Sequence, residues 1–143
     1  MSLDLLFTIA NGFALLGWLL LALAPRWRLT HAAVVSGAMS LVLAALYSGL
    51  MWHFHGIFED GGFGSLPEVV KLFSHPAGVL IGWVHYLAFD LFIGGWELRD
   101  AQRRGVPHLL LLPCLGLTLM FGPVGLLAYF VVRRVLGREP LGG

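Results

Sequence analysis

The stretch from Pro76 to Asp100, PAGVLIGWVHYLAFDLFIGGWELRD, decides the fold of this chain. It is long and apolar enough to cross a bilayer, yet it carries His85, Tyr86, Asp90 and Glu97. A carboxylate near the middle of a spanning helix costs about 2.5–3.5 kcal/mol on insertion scales. Polar groups at that depth face protein or a wet cavity, so the stretch predicts a functional site within the membrane.

Length and composition indicate a helical membrane protein. Of the 143 residues, 58% are hydrophobic and 12% are charged, whereas a soluble domain has about 25% charged residues. Four apolar runs of about 20 residues each match a bilayer core about 30 Å thick. We therefore predict one all-α membrane domain over residues 1–143, a four-transmembrane-helix bundle with spans at about 3–23, 31–52, 77–97 and 109–132.

The connection between the second and third spans contains a short amphipathic segment from Ser65 to Ser74. Ser65 and Glu68 have the spacing of a capping box, and Pro67 falls in the first turn. Val69, Val70, Leu72 and Phe73 give the segment one apolar side. The sequence therefore predicts an interfacial helix that is too short to span the membrane.

The fourth span contains Pro113 and the dipeptide Gly122-Pro123. A proline inside a helix frees a backbone carbonyl group and bends the axis. We therefore predict a kink near Gly122.

Several classes of function lack their sequence signals. The net charge is +1 with no basic tract, which argues against a nucleic-acid partner. The single cysteine, Cys114, lies in an apolar run and offers no disulfide or iron–sulfur framework. No P-loop, GxSxG, CxxC or HExxH motif occurs. The N-terminal apolar run is interpreted as a retained span and not as a cleaved signal peptide. The expected location of the protein is a bacterial inner membrane, where its partner is membrane lipid. A homo-oligomer is an open alternative.

The distribution of charge gives a weak orientation signal. With four spans, Arg26, Arg28, Arg99, Arg103 and Arg104 fall on one side of the membrane, and Lys71, Arg133, Arg134 and Arg138 fall on the other. The first helix and the acidic second connection favour both termini outside the cytoplasm.

Two adjacent stripes of the third span carry the candidate site residues. Helical periodicity places Trp83, Tyr86, Asp90, Gly94 and Glu97 on one stripe, and His85, Phe89, Phe92 and Trp96 on the next. A carboxyl group among aromatic rings suits acid chemistry on a flat or polyene ligand, with His85 and Asp90 flanking it. Alternatively, Asp90 pairs with a polar group such as Asn11 and holds the bundle together.

Histidines allow a metal or haem alternative. His53, His55 and His75 are expected at one membrane face, near Glu59, Asp60 and Glu68. Converging imidazole and carboxylate groups would form a zinc or iron site. Only His85 lies clearly within a span.

The run from Gly82 to Phe92, with Pro76, Trp96 and Asp100 around it, resembles the abscisic-acid-deficient-4-like membrane family. Pro113, Leu115 and the run from Gly122 to Leu126 carry the same resemblance. Plant members of that family are plastid proteins needed to make neoxanthin, an allenic carotenoid, from the epoxide violaxanthin.

The resemblance implies a four-span protein that binds or isomerises a carotenoid-like ligand. Opening an epoxide and removing a proton from the polyene requires an acid and a base but no redox cofactor. Asp90, His85 and Tyr86 fit those catalytic roles by their chemistry. The expected substrate-binding residues are Trp83, Phe89, Phe92, Trp96, Asn11 and Glu97.

Two other functions remain open at this point. A non-catalytic pigment-binding or scaffold subunit of a membrane complex would use the same small-residue and aromatic faces. A membrane oxidoreductase would bind metal or haem through the histidines.

Overall fold

The computed structural model describes residues 2–137, apart from the side chains of positions 58 and 60, and every regular element in that part of the chain is a helix. The predicted all-α class is therefore confirmed. The helices in chain order are α1 (Leu3–Leu23), α2 (Arg28–His53), α3 (Leu66–Ser74), α4 (Pro76–Arg104), α5 (His108–Phe121) and α6 (Pro123–Leu136), with one further helical turn at Ile57–Asp60.

Three helices are long and apolar enough to span a membrane, namely α1, α2 and α4. Ser2 caps α1, because its side chain accepts the backbone N–H of Leu5 at 3.3 Å. At the other end of α1, Thr30 donates its hydroxyl to the Ala24 carbonyl group at 2.7 Å. Both ends of α1 therefore have side-chain partners for backbone groups that the helix leaves free.

The helix α4 is the element around which the others pack. It has 29 residues, and α1, α2, α3, α5 and α6 all contact it. Two glycines let the neighbouring helices approach closely. A Cβ atom on Gly94 would lie 2.7 Å from the Trp18 ring of α1, and one on Gly95 would lie 3.0 Å from the Val34 carbonyl oxygen of α2. Any larger residue at these two positions would push α1 or α2 away from α4.

The helix α2 is irregular near its N-terminal end. His31–Val35 form a π-helical turn, and Gly37 has a φ of 85°. Such turns widen a helix locally. Here the widened turn carries the Val34 backbone against Gly95.

The short helix α3 confirms the predicted helix between the second and third spans, starting at Leu66. Leu72 is buried, whereas Val70 and Phe73 are exposed. The predicted capping box is wrong, because Ser65 makes no side-chain cap bond and Glu68 instead accepts the N–H of Gly64 at 3.1 Å. A position at the membrane interface stays a prediction for α3.

The predicted fourth span, residues 109–132, consists of two helices that run antiparallel. Helices α5 and α6 have 14 residues each, and Gly122 between them has φ 47° and ψ −98°. The chain reverses there, so that Gly125 packs on the Thr118 backbone and Gly137 lies against Arg104. Each helix is about 21 Å long, which is too short to cross a bilayer core of about 30 Å. The single kinked helix predicted from the sequence is therefore wrong.

The reversal places Arg133 at the same end of the bundle as Arg104, whereas the sequence predicted opposite sides of the membrane for these two arginines. Arg133 reaches Asp100 at 3.3 Å, next to Arg104, which binds the same carboxylate at 3.0 Å. His108, at the start of α5, lies 2.9 Å from the Ala22 carbonyl oxygen near the end of α1. The beginning of α1 and the end of α6 are therefore at opposite ends, contrary to the predicted orientation. Arg138 lies outside the described residues.

Labelling of single cysteines tests this arrangement. In a Cys114→Ala background we expect Arg103→Cys and Arg134→Cys to react with a membrane-impermeant maleimide from the same side. Glu59→Cys should react only from the opposite side, since it precedes α4. Reaction of Arg134→Cys and Glu59→Cys from the same side would instead indicate that residues 109–132 cross the membrane.

Candidate functional site

The reversal at Gly122 leaves a backbone group that α4 satisfies. Pro123 has no N–H, so the carbonyl group four residues earlier, at Leu119, lacks its helical donor. Tyr86 of α4 donates its hydroxyl hydrogen to that carbonyl oxygen at 3.0 Å. The tyrosine therefore ties the centre of α4 to the end of α5.

Asp90 lies one turn further along α4, directly against the reversal. A Cβ atom on Gly122 would be 3.0 Å from Oδ1 and 3.3 Å from Oδ2 of Asp90. The Oδ2 atom is buried and has no hydrogen-bond partner in the described part of the chain. Burial of a carboxyl oxygen without a donor is unfavourable, so this atom needs a partner from water or from a ligand.

A cavity of about 310 Å³ lies on the same side of α4. It is bounded by α1, α4 and the last turn of α5. Asp90 lies on α4 about one helical turn beyond Tyr86 and Leu87, which line the cavity. Its size is at the lower end for small-molecule sites, which are mostly apolar with a few polar groups. The cavity is lined by Asn11, Gly12, Ala14, Leu15, Trp18, Trp83, Tyr86, Leu87, Leu119 and Met120.

Polar and aromatic contacts fix one wall of this cavity. Trp83 donates its indole N–H to Asn11 Oδ1 at 3.0 Å, and Asn11 in turn donates to the Phe7 carbonyl oxygen at 2.7 Å. The Trp83 ring also stacks on Tyr86, with centroids 5.4 Å apart and an interplanar angle of 25°. Asn11 therefore contacts Trp83, and the predicted pairing of Asn11 with Asp90 is not observed.

Glu97 is fully buried, away from this cavity, between α4 and α5. The Thr118 hydroxyl lies 3.0 Å from Oε1 and 3.1 Å from Oε2 of Glu97, and Thr118 is equally buried. A hydroxyl group donates only one hydrogen at a time. The pair fastens α5 to α4 one helical turn before the reversal.

His85 projects from a different side of α4. Its ring lies 5.5 Å from Tyr47 of α2 and 4.7 Å from Phe89, measured between centroids. It lines a separate cavity of about 230 Å³ that reaches Phe73 of α3. The sequence predicted that His85 and Asp90 flank one ligand. In the structure the two side chains lie on different sides of α4, and His85 lines a cavity that Asp90 does not reach.

Phe89 and Phe92 border a third, shallow groove between α2 and α4, with a volume of about 260 Å³. Both rings are exposed, at 59% and 49%. Ser40 lies in this groove, and its hydroxyl oxygen is buried without a partner among the described residues. These two predicted ligand contacts are thus separated from the Asp90 side of α4.

Trp96 packs on α6 and not in the cavity beside Tyr86. Its ring meets Tyr129 edge-on at 5.6 Å and stacks on Phe130 at 5.7 Å. Below it, Asp100 accepts the Tyr129 hydroxyl at 2.7 Å and binds two arginines. These contacts hold α6 against α4.

The histidines named for a metal site do not converge. Within residues 2–137, as far as side chains are described, no group of three or more His, Cys, Asp or Glu side chains could hold a metal ion. His53 packs edge-on against Phe54 at 4.7 Å, and His55 Nδ1 lies 2.9 Å from the Trp52 carbonyl oxygen. His75 begins α4 as its N-cap residue.

Sequence reasoning missed the residues that complete the Asp90 environment. Gly122 and the Leu119 carbonyl group were not expected there, because the Gly122-Pro123 dipeptide was interpreted as a kink. Sequence reasoning also did not indicate that Thr118 of α5 and Tyr129 of α6 hydrogen-bond to Glu97 and Asp100 of α4. A proline that follows a glycine in an apolar run is the available signal, since it frees the carbonyl group four residues earlier.

Comparisons with known proteins give a family. The sequence model of the family described as ABA4-like, ABA DEFICIENT 4-like, matches residues 5–129. The chain is also similar to Protein ABA DEFICIENT 4, chloroplastic, of Arabidopsis thaliana, with 24% identity over 142 residues that cover 93% of this chain. It spans 62% of the length of that relative. No solved structure matches.

Substitution of Gly122 tests the geometry at the reversal. Gly122→Ala places a Cβ atom against Asp90 in a backbone conformation that disfavours side chains, so we expect a loss of about 1–3 kcal/mol in unfolding free energy. The matched control is Gly116→Ala in α5, where a Cβ atom would meet nothing within 4 Å. That variant should be unchanged or more stable by about 0.5–1 kcal/mol. Thermal unfolding in detergent measures both, and equal effects would contradict the geometry.

Proposed function

Because the chain belongs to the ABA4-like family, we propose that it is an integral membrane protein that binds a carotenoid-like apolar ligand and isomerises it by acid–base chemistry. The reacting part of the ligand would lie in the cavity between α1, α4 and α5. The rest of a long polyene would extend along the exposed apolar surface of the bundle.

One observation carries the proposal. Asp90 Oδ2 is buried next to the chain reversal without a partner in the described part of the chain, and the aromatic cavity begins one turn away. A carboxyl group within a spanning helix raises the free energy of membrane insertion, and such groups commonly have a functional role. A ligand oxygen beside Asp90 would supply the missing hydrogen-bond partner.

The reaction class balances without a redox partner. A protonated Asp90 would give its hydrogen to an epoxide oxygen while one carbon–oxygen bond breaks. The Asp90 carboxylate formed in this step would then accept a proton from the adjacent polyene. This second transfer yields an isomer of the substrate and restores the protonated Asp90. Tyr86 would position the ligand, because its hydroxyl group hydrogen-bonds to the Leu119 carbonyl oxygen and its ring forms a wall of the cavity.

The other candidates receive different roles in this proposal. Trp83 and Asn11 are assigned to ligand contact, because both line the same cavity. His85 is not retained as a catalytic residue, since its ring lies in another cavity, beside Tyr47. Glu97 and Trp96 are assigned to packing of α5 and α6, and Phe89 and Phe92 to the outer apolar surface.

For the membrane arrangement we propose three spans, α1, α2 and α4, with α5 and α6 as a re-entrant hairpin. Non-helical backbone within a membrane is tolerated where protein surrounds it. Asp90 lies against Gly122, and Tyr86 hydrogen-bonds to the nearby Leu119 carbonyl oxygen. The end that carries Arg26, Arg104 and Arg133 would face the cytoplasm. A bacterial inner membrane stays a prediction, because the named relative is described as chloroplastic.

A pigment-binding or scaffold role is the second candidate. The α2–α4 groove, with its exposed Phe89 and Phe92 rings, is the observation that favours it. A ligand held there would require no chemistry from Asp90. The metal or haem oxidoreductase has no comparable support, since the described side chains include no cluster that could hold a metal.

Pigment analysis separates catalysis from simple binding. The chain is expressed in a carotenoid-producing bacterial host, and the extracted pigments are separated by chromatography. We expect a new isomeric pigment with the unchanged protein and a decrease of at least about 100-fold with Asp90→Asn, the lower range for loss of general acid–base catalysis.

The control is Asp4→Asn, since Asp4 is an exposed carboxylate in the first turn of α1. It should leave the product unchanged at equal protein levels. An unaltered pigment profile with all three proteins would reject the enzyme. Pigment that co-purifies equally with Asp90→Asn would then favour the binding role.

A further inference from the structure

The fold gathers basic side chains at one end of the bundle. The α5–α6 hairpin returns the chain to the end where α1 and α4 finish, so that the arginines of three separate segments lie together. We define this surface as the basic face; in the described part of the chain it contains Arg26, Arg28, Arg99, Arg103, Arg104, Arg133 and Arg134. Asp100 is the carboxylate that neutralises part of it, through Arg104 and Arg133.

The opposite end differs sharply in charge. The described charged side chains there are Asp4, Glu59, Glu68 and Lys71, which sum to a negative charge. A membrane protein with one strongly basic end places that end at the cytoplasmic leaflet, where anionic lipids are concentrated. The basic face would therefore meet phospholipid headgroups and not only water.

A cavity of about 390 Å³ opens in the basic face. It lies between the Pro25–Arg26 turn, the last turns of α4 and the turn that leads into α5. Gln102 closes one side by donating to the Pro25 carbonyl oxygen at 2.7 Å. Arg26 is exposed at its edge and forms no ion pair with a described carboxylate.

His108 forms the inner wall and has an unused nitrogen atom. Its Nε2 atom must carry hydrogen, because it faces the Ala22 carbonyl oxygen at 2.9 Å and a carbonyl group only accepts. Its Nδ1 atom is buried and has no partner in the described part of the chain. In the tautomer with its hydrogen on Nε2, the His108 ring has an acceptor at Nδ1, beside a cavity that has a guanidinium group at its edge.

We propose that this cavity binds the headgroup of an anionic phospholipid that also carries a hydroxyl group. The phosphate would bind Arg26, and the headgroup hydroxyl would donate to His108 Nδ1. Phosphatidylglycerol has both groups and is the probe of choice. The acyl chains would lie along the exposed apolar surface below the cavity, where Leu23 and Leu109 are 78% and 79% exposed.

Thermal unfolding of the full chain in neutral detergent tests the site. Phosphatidylglycerol should raise the melting temperature in a concentration-dependent way, whereas phosphatidylcholine should not, because selective binding to the native state stabilises it. Inorganic phosphate and glycerol phosphate are tested in parallel. If they act as well as the lipid, the ligand is a soluble phosphate compound and the lipid proposal is overturned.

Two arginine variants distinguish a site from general surface attraction. Arg26→Gln should weaken the apparent affinity for phosphatidylglycerol by about tenfold or more, because Arg26 borders the cavity. Arg28→Gln is the matched control, since Arg28 is exposed on the same face but is not part of the cavity wall. It should change the affinity by less than about twofold. Equal losses, or no lipid dependence in any variant, would overturn the proposal.

Discussion

The contact between α4 and the chain reversal at Gly122 determines how the last third of the chain is arranged. Pro123 cannot donate to Leu119, and Tyr86 supplies the missing donor at 3.0 Å. Without water to hydrogen-bond a free carbonyl group, an unpaired end of this kind costs several kcal/mol in an apolar medium. The hairpin is therefore compatible with a membrane because α4 provides a polar group at the same depth. Asp90, one turn further, keeps its Oδ2 atom buried without a hydrogen-bond partner among the described residues, which is why it stands out as a candidate for chemistry.

The polar groups of α4 divide into two kinds when their partners are considered. Glu97 and Asp100 receive hydrogen bonds from Thr118 and from Tyr129, both on the hairpin. Their contacts attach α5 and α6 to α4, so their presence needs no ligand. Asp90 differs because one carboxyl oxygen is buried and unpaired in the described part of the chain. All three carboxylates lie on α4, so their position along the helix does not distinguish them. Their hydrogen-bond partners do, since Glu97 and Asp100 are bound by the hairpin and the Oδ2 atom of Asp90 is not bound by any described residue.

The hairpin also connects the candidate site to the charge of the molecule. Since α6 returns to the end where α4 finishes, its arginines join those of the earlier loops and form a basic face. The same reversal that encloses Asp90 therefore produces a strong difference in charge between the two ends. A single backbone feature, a glycine with a positive φ followed by a proline, accounts for the environment of the site and for the proposed orientation.

The sequence by itself determined the all-α class, three of the four long apolar helices that it predicted, and the unusual polar content of α4. These follow from local composition measured against the thickness of a bilayer, and they need no knowledge of neighbours. Helical periodicity also related Trp83, Tyr86 and Asp90 correctly, because spacing along one helix fixes their relative angles. Only the tertiary structure decided that His85 faces a different cavity and that the chain turns back at Gly122. A Gly-Pro pair is compatible with a bend or with a reversal, and the choice depends on contacts with α4, which are distant in sequence.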